Sequence, residues 1–106
     1  MKVLFTDIAV ERLRDIYIYY KNRASLKVAQ SVKDKIIDGI SNLGTRPKIG
    51  NEESNLSYLK RGYRKLVIGN YKVIYRIVGD TVIIDTIFDS RQEPKEMTKD
   101  VTRKKK

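Results

Sequence analysis

The stretch Tyr63-Arg64-Lys65-Leu66-Val67-Ile68-Gly69-Asn70-Tyr71-Lys72-Val73-Ile74-Tyr75-Arg76-Ile77-Val78-Gly79-Asp80-Thr81-Val82-Ile83-Ile84-Asp85-Thr86-Ile87-Phe88 decides the fold. It divides into three β-rich runs, Tyr63 to Ile68, Tyr71 to Val78 and Thr81 to Phe88, separated by Gly69-Asn70 and Gly79-Asp80. Glycine adopts positive φ without a Cβ clash, so two-residue connections of this kind turn a strand straight back on itself. The three runs are therefore expected to form an antiparallel meander. In the middle run, period-two alternation sets Tyr71, Val73, Tyr75 and Ile77 on a core face and Lys72, Ile74 and Arg76 on an outward one. Tyr71 and Tyr75 thus read as core rings. In the first run, Arg64 and Lys65 point to opposite faces, and pairing register decides which of them faces outward.

Toward the N-terminus, residues 45–59 show neither a helical nor a strand period and carry Pro47, Gly50 and the polar cluster Asn51-Glu52-Glu53-Ser54-Asn55, the pattern of a surface loop. Glu52 and Glu53 read there as solubilising. Before it, Ala29, Val32, Ile36, Ile40 and Leu43 step by three and four after Ser25, a candidate N-cap, until Gly44 and Pro47 end the pattern. A second amphipathic helix runs from Ile8 to about Asn22, with Ala9, Leu13, Ile16, Tyr17 and Tyr20 on its apolar stripe and Thr6 or Asp7 as its cap. Lys2 to Thr6 is a short β-prone run. The fold class is accordingly α+β: a small antiparallel sheet with a two-helix hairpin on one face, in the order β-α-α-β-β-β. Residues 1–94 make a single domain. Beyond Asp89 the periodicity fades, so 95–106 reads as a basic C-terminal tail whose end, Arg103-Lys104-Lys105-Lys106, has no fixed structure of its own.

Composition narrows the chemistry. The 106 residues include 23 Lys and Arg against 13 Asp and Glu, a net charge of +10, with no His and no Cys. Disulfides and thiolate metal sites are excluded, and the usual proton shuttle of neutral pH is missing. No metal or cofactor is expected. No segment approaches the roughly 20 apolar residues of a membrane span, which points to a soluble cytoplasmic protein without a membrane partner. The positive balance calls for an anionic partner.

That charge is concentrated. Between Tyr58 and Arg76 lie Lys60, Arg61, Arg64, Lys65, Lys72 and Arg76, with no acid among them and with Tyr58, Tyr63, Tyr71 and Tyr75 interleaved. Cross-strand neighbours sit only about 5 Å apart, so like charges on a hairpin repel unless something anionic offsets them. Lys on a surface strand also discourages edge pairing, and a charged run can simply be a solvated face.

The helix carrying Ala9, Leu13, Ile16 and Tyr19-Tyr20, the Pro47-x-x-Gly50 loop, the run from Arg64 to Arg76 and the ending Ile87-Phe88-Asp89-Ser90-Arg91-Gln92 together resemble the RelE/ParE toxin superfamily. The resemblance covers nearly the whole chain. It implies the toxin of a type II toxin–antitoxin pair, held inactive by a cognate antitoxin protein. RelE-like members cleave mRNA on the ribosome, whereas ParE-like members share the fold and inhibit DNA gyrase without catalysis of their own; fold alone does not separate them. A RelE-like, ribosome-dependent mRNA endoribonuclease is the expected activity, a gyrase inhibitor the alternative and a non-catalytic nucleic-acid-binding domain a further one. The partners implied are the antitoxin and either ribosome and mRNA or DNA gyrase. Carried over by position, the RelE-like catalytic residues correspond to Lys65, Lys72 and Arg91, with Arg61, Tyr63, Arg64 and Arg76 as RNA-binding residues. A further Lys of that site corresponds to Tyr63, and the Tyr expected beyond Arg91 is missing from Glu93-Pro94-Lys95-Glu96-Met97. Cleavage by a neighbouring 2′-hydroxyl then requires Lys65 or Lys72 as base and arginines to stabilise charge on phosphorus.

Overall fold

The computed structural model describes residues 1–103; the expectation for 104–106 lies outside the described residues. Strand β1 (Lys2–Phe5) hands over to helix α1 (Asp7–Arg23) at Thr6, whose Oγ1 accepts from Ala9 N at 3.0 Å. Ala24 and Ser25 connect to helix α2 (Leu26–Ser41), and Ser25 Oγ caps it by accepting from Val28 N. Both capping residues were legible in the sequence. A short strand β2 (Asn51–Glu52) and a 3₁₀ turn over Ser54–Leu59 follow, then β3 (Arg64–Ile68), β4 (Tyr71–Val78), β5 (Thr81–Asp89) and helix α3 (Pro94–Thr102).

The strands form one sheet in the order β1-β5-β4-β3-β2. The meander β3-β4-β5 is antiparallel as expected, with Gly69 at φ 59 and Gly79 at φ 61 in its two turns. β1 joins the far edge parallel to β5, and β2 covers only Arg64 and Lys65 on the near edge. The register places Lys65 opposite Ile74 and Arg64 opposite Tyr75. This settles what alternation left open, because directly opposed residues share a face: Lys65 joins Lys72, Ile74 and Arg76, and Arg64 faces the helices.

The helix hairpin covers the face of Tyr71, Val73 and Tyr75, building a core with Ala9, Ile16, Ile36, Ile40, Leu43, Val82, Ile84 and Ile87. Gly39 lets α2 approach the sheet closely: a Cβ there would collide with Ile68. The other face was expected to be open, yet Ile74, assigned outward, is fully buried. It belongs to a second, smaller core with Leu56, Tyr63, Phe88 and Met97, bordered by Leu59 and Val101. The expected surface loop supplies Leu56 and Leu59, and the expected tail supplies Met97 and Val101. Residues 94–102 are a helix, not an extended tail: Pro94 stands in its first turn, where a missing N–H costs nothing, and Met97 is buried without exposed surface. Burial of such a side chain contributes about 1.5–3 kcal/mol, enough to seat a two-turn helix that propensity alone would not hold.

One charged contact fixes α3 sideways. Asp100 accepts from Arg12 Nε at 3.0 Å and Nη2 at 2.8 Å, and its Oδ2 also accepts from Thr86 Oγ1 at 2.8 Å. Helices α1 and α3 and strand β5 meet at this carboxylate, which holds the Arg12 guanidinium well above its ordinary pKa. Among the described residues no helix is long and apolar enough to cross a membrane.

Candidate functional site

The seven residues singled out from sequence divide among three places. Lys65, Lys72, Arg76 and Arg61 gather with Tyr63 on the α3 face of the sheet, Arg64 lies on the helix face, and Arg91 lies in a groove beyond the end of β5.

Two buried acids organise the first group. Glu53, expected to be a solubilising surface residue, has no exposed surface, because its backbone N–H donates to Tyr63 O and turns the side chain under the sheet. Lys72 Nζ donates to its Oε1 at 2.9 Å, and Asn55 N donates to Oε2 at 3.1 Å. Burial pushes the Glu53 carboxyl up, but these hydrogen bonds and the charges of Lys72 and Lys65 bring it below its ordinary value. The second acid, Asp85, is the extra residue of a β-bulge: Tyr75 pairs with Ile84 and Ile74 with Thr86, leaving Asp85 unopposed. Arg76 Nε donates to Asp85 Oδ2 at 3.0 Å. Burial wins at Asp85, whose carboxyl is raised although Arg76 and Arg61 pull it down.

Arg61 stands between two residues of positive φ, Lys60 at 55 and Gly62 at 73, and its Nη1 donates to Tyr63 Oη at 3.3 Å. Tyr63 is 3% exposed, its ring being part of the second core. It is therefore not a platform on which a base can stack.

Arg64 has a structural task. Its Nη1 donates to Gly50 O at 2.7 Å, while Tyr75 Oη donates to Pro47 O at 2.7 Å and accepts from Gly50 N at 3.0 Å. The Pro47–Gly50 segment is thus pinned to the sheet at three points, and a Cβ on Gly50 would collide with Lys65 O. The same segment leads directly into Glu53.

Arg91 is engaged with Asp89 in a fork: Nε to Oδ1 at 2.9 Å and Nη2 to Oδ2 at 2.8 Å, with Arg91 N also donating to Oδ1. The pair lowers the Asp89 carboxyl and raises the Arg91 guanidinium. Its surroundings are a groove of about 710 Å³ whose lining includes Arg12, Tyr19, Tyr71, Lys99 and Arg103. Tyr71 belongs to the helix-side core, where burial and a hydrogen bond to Tyr20 Oη at 3.4 Å raise its hydroxyl. The groove runs between α1 and α3, and Arg91 in it is joined to Asp89 whereas Lys72 is joined to Glu53. Of the three residues corresponding to RelE-like catalytic positions, Lys65 and Lys72 share a face of the sheet and Arg91 follows the end of β5.

Sequence reasoning missed Glu53, Asp85 and Asp100. The acid-free span from Tyr58 to Arg76 is acid-free only along the chain; in space Glu53 and Asp85 lie beneath it. The signal available was Asp85 itself, a lone acid in the apolar run from Val82 to Phe88, where the helix-side core set shifts from Val82 and Ile84 to Ile87.

Residues 3–94 match the family described as the ParE toxin of type II toxin–antitoxin system, parDE. No curated protein matches the chain. Among solved structures, the fold is similar to the chromosomal ParDE toxin–antitoxin system from P. aeruginosa, with a TM-score of 0.73 at 20% sequence identity over 84% of this chain and 95% of that one. The order and packing of β1, the α1–α2 hairpin and the β3-β4-β5 meander are those the resemblance led one to expect, and the family match spans them all. The chain belongs to the ParE family, the toxins of parDE type II toxin–antitoxin systems, and a cognate antitoxin is its implied partner.

Proposed function

We propose that this toxin inhibits DNA gyrase by binding, without catalysis of its own, and that its cognate antitoxin blocks it by covering that binding surface. The observation that carries this reading is the engagement of two of the RelE-like positions, Lys72 and Arg91, with carboxylates of the chain itself. An ammonium sharing its proton with a buried carboxylate, as Lys72 does with Glu53 at 2.9 Å, offers no lone pair to a 2′-hydroxyl. Arg91 is forked onto Asp89, so its guanidinium edge is already occupied by a carboxylate. A base and a charge-stabilising cation must converge on one reacting phosphodiester to within hydrogen-bonding distance. The chain has no His, the usual proton shuttle of neutral pH, to take Lys72's place.

An interaction-based toxin asks less of its surface: a stable fold, exposed charge and shape. Membership of the ParE branch supports this reading over mRNA cleavage. It is tested by inducing the toxin under tight control and following DNA and protein synthesis separately. Arrest of replication before translation is expected; arrest of translation first would contradict it.

A further inference from the structure

Six of the seven tyrosines are engaged within the chain. Tyr17 lies under Lys33 Nζ and Tyr19 under the Arg23 guanidinium, Tyr20 meets Tyr71, Tyr63 meets Arg61, and Tyr75 holds Pro47 and Gly50. Tyr58 makes no hydrogen bond or ring contact among the described residues. At 63% it is also the most exposed large apolar side chain among them. A phenol ring brings a large apolar area to any surface that can bury it.

The turn that carries this ring is fixed at both ends. Leu56 is fully buried, and Leu59 packs against the second core beside Tyr63. Glu53 N donates to Tyr63 O at 3.0 Å and closes the base, while Leu56 N donates to Glu53 O and Ser57 Oγ to Ser54 O within the turn. Lys60 N donates to Ser57 O at 3.0 Å and ends the turn with Lys60 at φ 55, the one positive φ outside glycine among the described residues. A residue with a Cβ rarely takes this conformation, and it persists where its neighbours hold it. Tyr58 is thus presented on a preorganised tip.

We infer that the Ser54–Leu59 turn is the toxin's anchoring contact with its target protein, Tyr58 entering an apolar pocket on DNA gyrase. This rests on gyrase being the target. The composition of the turn fits a protein partner. Ser54, Asn55, Ser57 and Tyr58 are all exposed and all uncharged, in a chain of net charge +10. Protein-binding loops join a Tyr anchor, which orders only two torsions for its large area, to small polar side chains that adapt their hydrogen bonds. Charge is kept to the rim of such contacts. Lys60 and Arg61, both exposed, supply that rim, so carboxylates are expected to border the pocket. A nucleic-acid strand would call for cations along the turn itself, and Ser54 to Leu59 has none.

The test is surface plasmon resonance of the full-length toxin on immobilised, DNA-free gyrase, run beside the supercoiling assay. Tyr58→Ser is expected to weaken association and inhibition about 30-fold, the scale of an interface anchor. Tyr58→Phe keeps the ring and should lose far less. Neither change should move the urea midpoint, because the ring lies outside both cores. Leu26→Ser removes a similarly exposed apolar side chain, 59%, from α2 and is expected to leave both readouts as in the native toxin. Native association and inhibition by Tyr58→Ser, an equal loss in Leu26→Ser, or a Tyr58→Ser loss confined to single-stranded DNA binding would overturn the assignment and leave gyrase inhibition standing. A native toxin that neither binds gyrase nor stops supercoiling would refute the gyrase reading itself, and this contact with it.

Discussion

Lys72 Nζ lies 2.9 Å from Oε1 of Glu53, a carboxylate with no exposed surface, and this pair ties the loop before β3 to the middle of the sheet. Removing Lys72 leaves a buried charge without its strongest partner. Lys72→Ala is expected to cost about 2–4 kcal/mol in urea unfolding, somewhat less than a fully buried broken pair because Lys72 is itself 20% exposed. Lys72→Met with Glu53→Gln should cost less than the sum of the single changes, a coupling of about 1–3 kcal/mol in a double-mutant cycle. Additive costs would show that the pair is incidental.

Acidification acts on the two buried acids with opposite sign. Glu53 has a folded-state pKa below its ordinary 4.5, so its stabilisation is present above that value and is lost as pH falls through the lowered one. Asp85 has a folded-state pKa above its ordinary 3.8, so its contribution is present below that value and is lost as pH rises through the raised one. Unfolding free energies measured from pH 7 to pH 3 should therefore fall less steeply in Glu53→Gln, and more steeply in Asp85→Asn, than in the native protein. Identical slopes in all three would refute both assignments.

Helix α3 depends on one apolar and one charged anchor. Met97→Ala opens a cavity in a core of only a few side chains and is expected to cost about 2–5 kcal/mol. Asp100→Asn weakens a bidentate, charge-assisted contact to Arg12 and should cost about 1.5–3 kcal/mol. Amide hydrogen exchange should show α3 and the Ser54–Leu59 turn losing protection together, because both cover the same small core. Loss confined to α3 would mean that the turn is held independently.

The loop that delivers Glu53 is secured by a hydroxyl. Tyr75→Phe removes the donor to Pro47 O and the acceptor for Gly50 N while keeping the ring, and should cost about 1–3 kcal/mol. The Gly50 Cβ collision makes Gly50→Ala the more severe change. Thermal unfolding of the two variants checks this order.

The helix-side half of the molecule was legible because its residues obey simple periods. Ala9, Ile16, Ile36 and Ile40 step at helical spacing, Tyr71, Val73 and Tyr75 alternate, and Thr6 and Ser25 cap where caps are expected. The α3 side was not, for a physical reason. Its cover comes from segments too short to show a period: Leu56 and Leu59 in a 3₁₀ turn, and Met97 and Val101 one turn apart in a helix otherwise polar. The candidate site suffered likewise. Basic residues were found by their density along the chain, whereas Glu53, Asp85 and Asp100 reach them only through the loop, the bulge and α3. Of the three RelE-like catalytic positions, Lys65 and Lys72 share a face, fixed by the pairing of β3 with β4, and Arg91 lies just past the end of β5, joined to Asp89.

The most direct measurement is a supercoiling assay with purified DNA gyrase, run beside a programmed-ribosome assay that reads mRNA cleavage. The native toxin is expected to stop supercoiling at concentrations that leave the message intact, and added antitoxin to restore it. Uninhibited gyrase together with codon-spaced mRNA cuts, abolished by Lys65→Ala and by Arg91→Ala, would contradict a non-catalytic toxin.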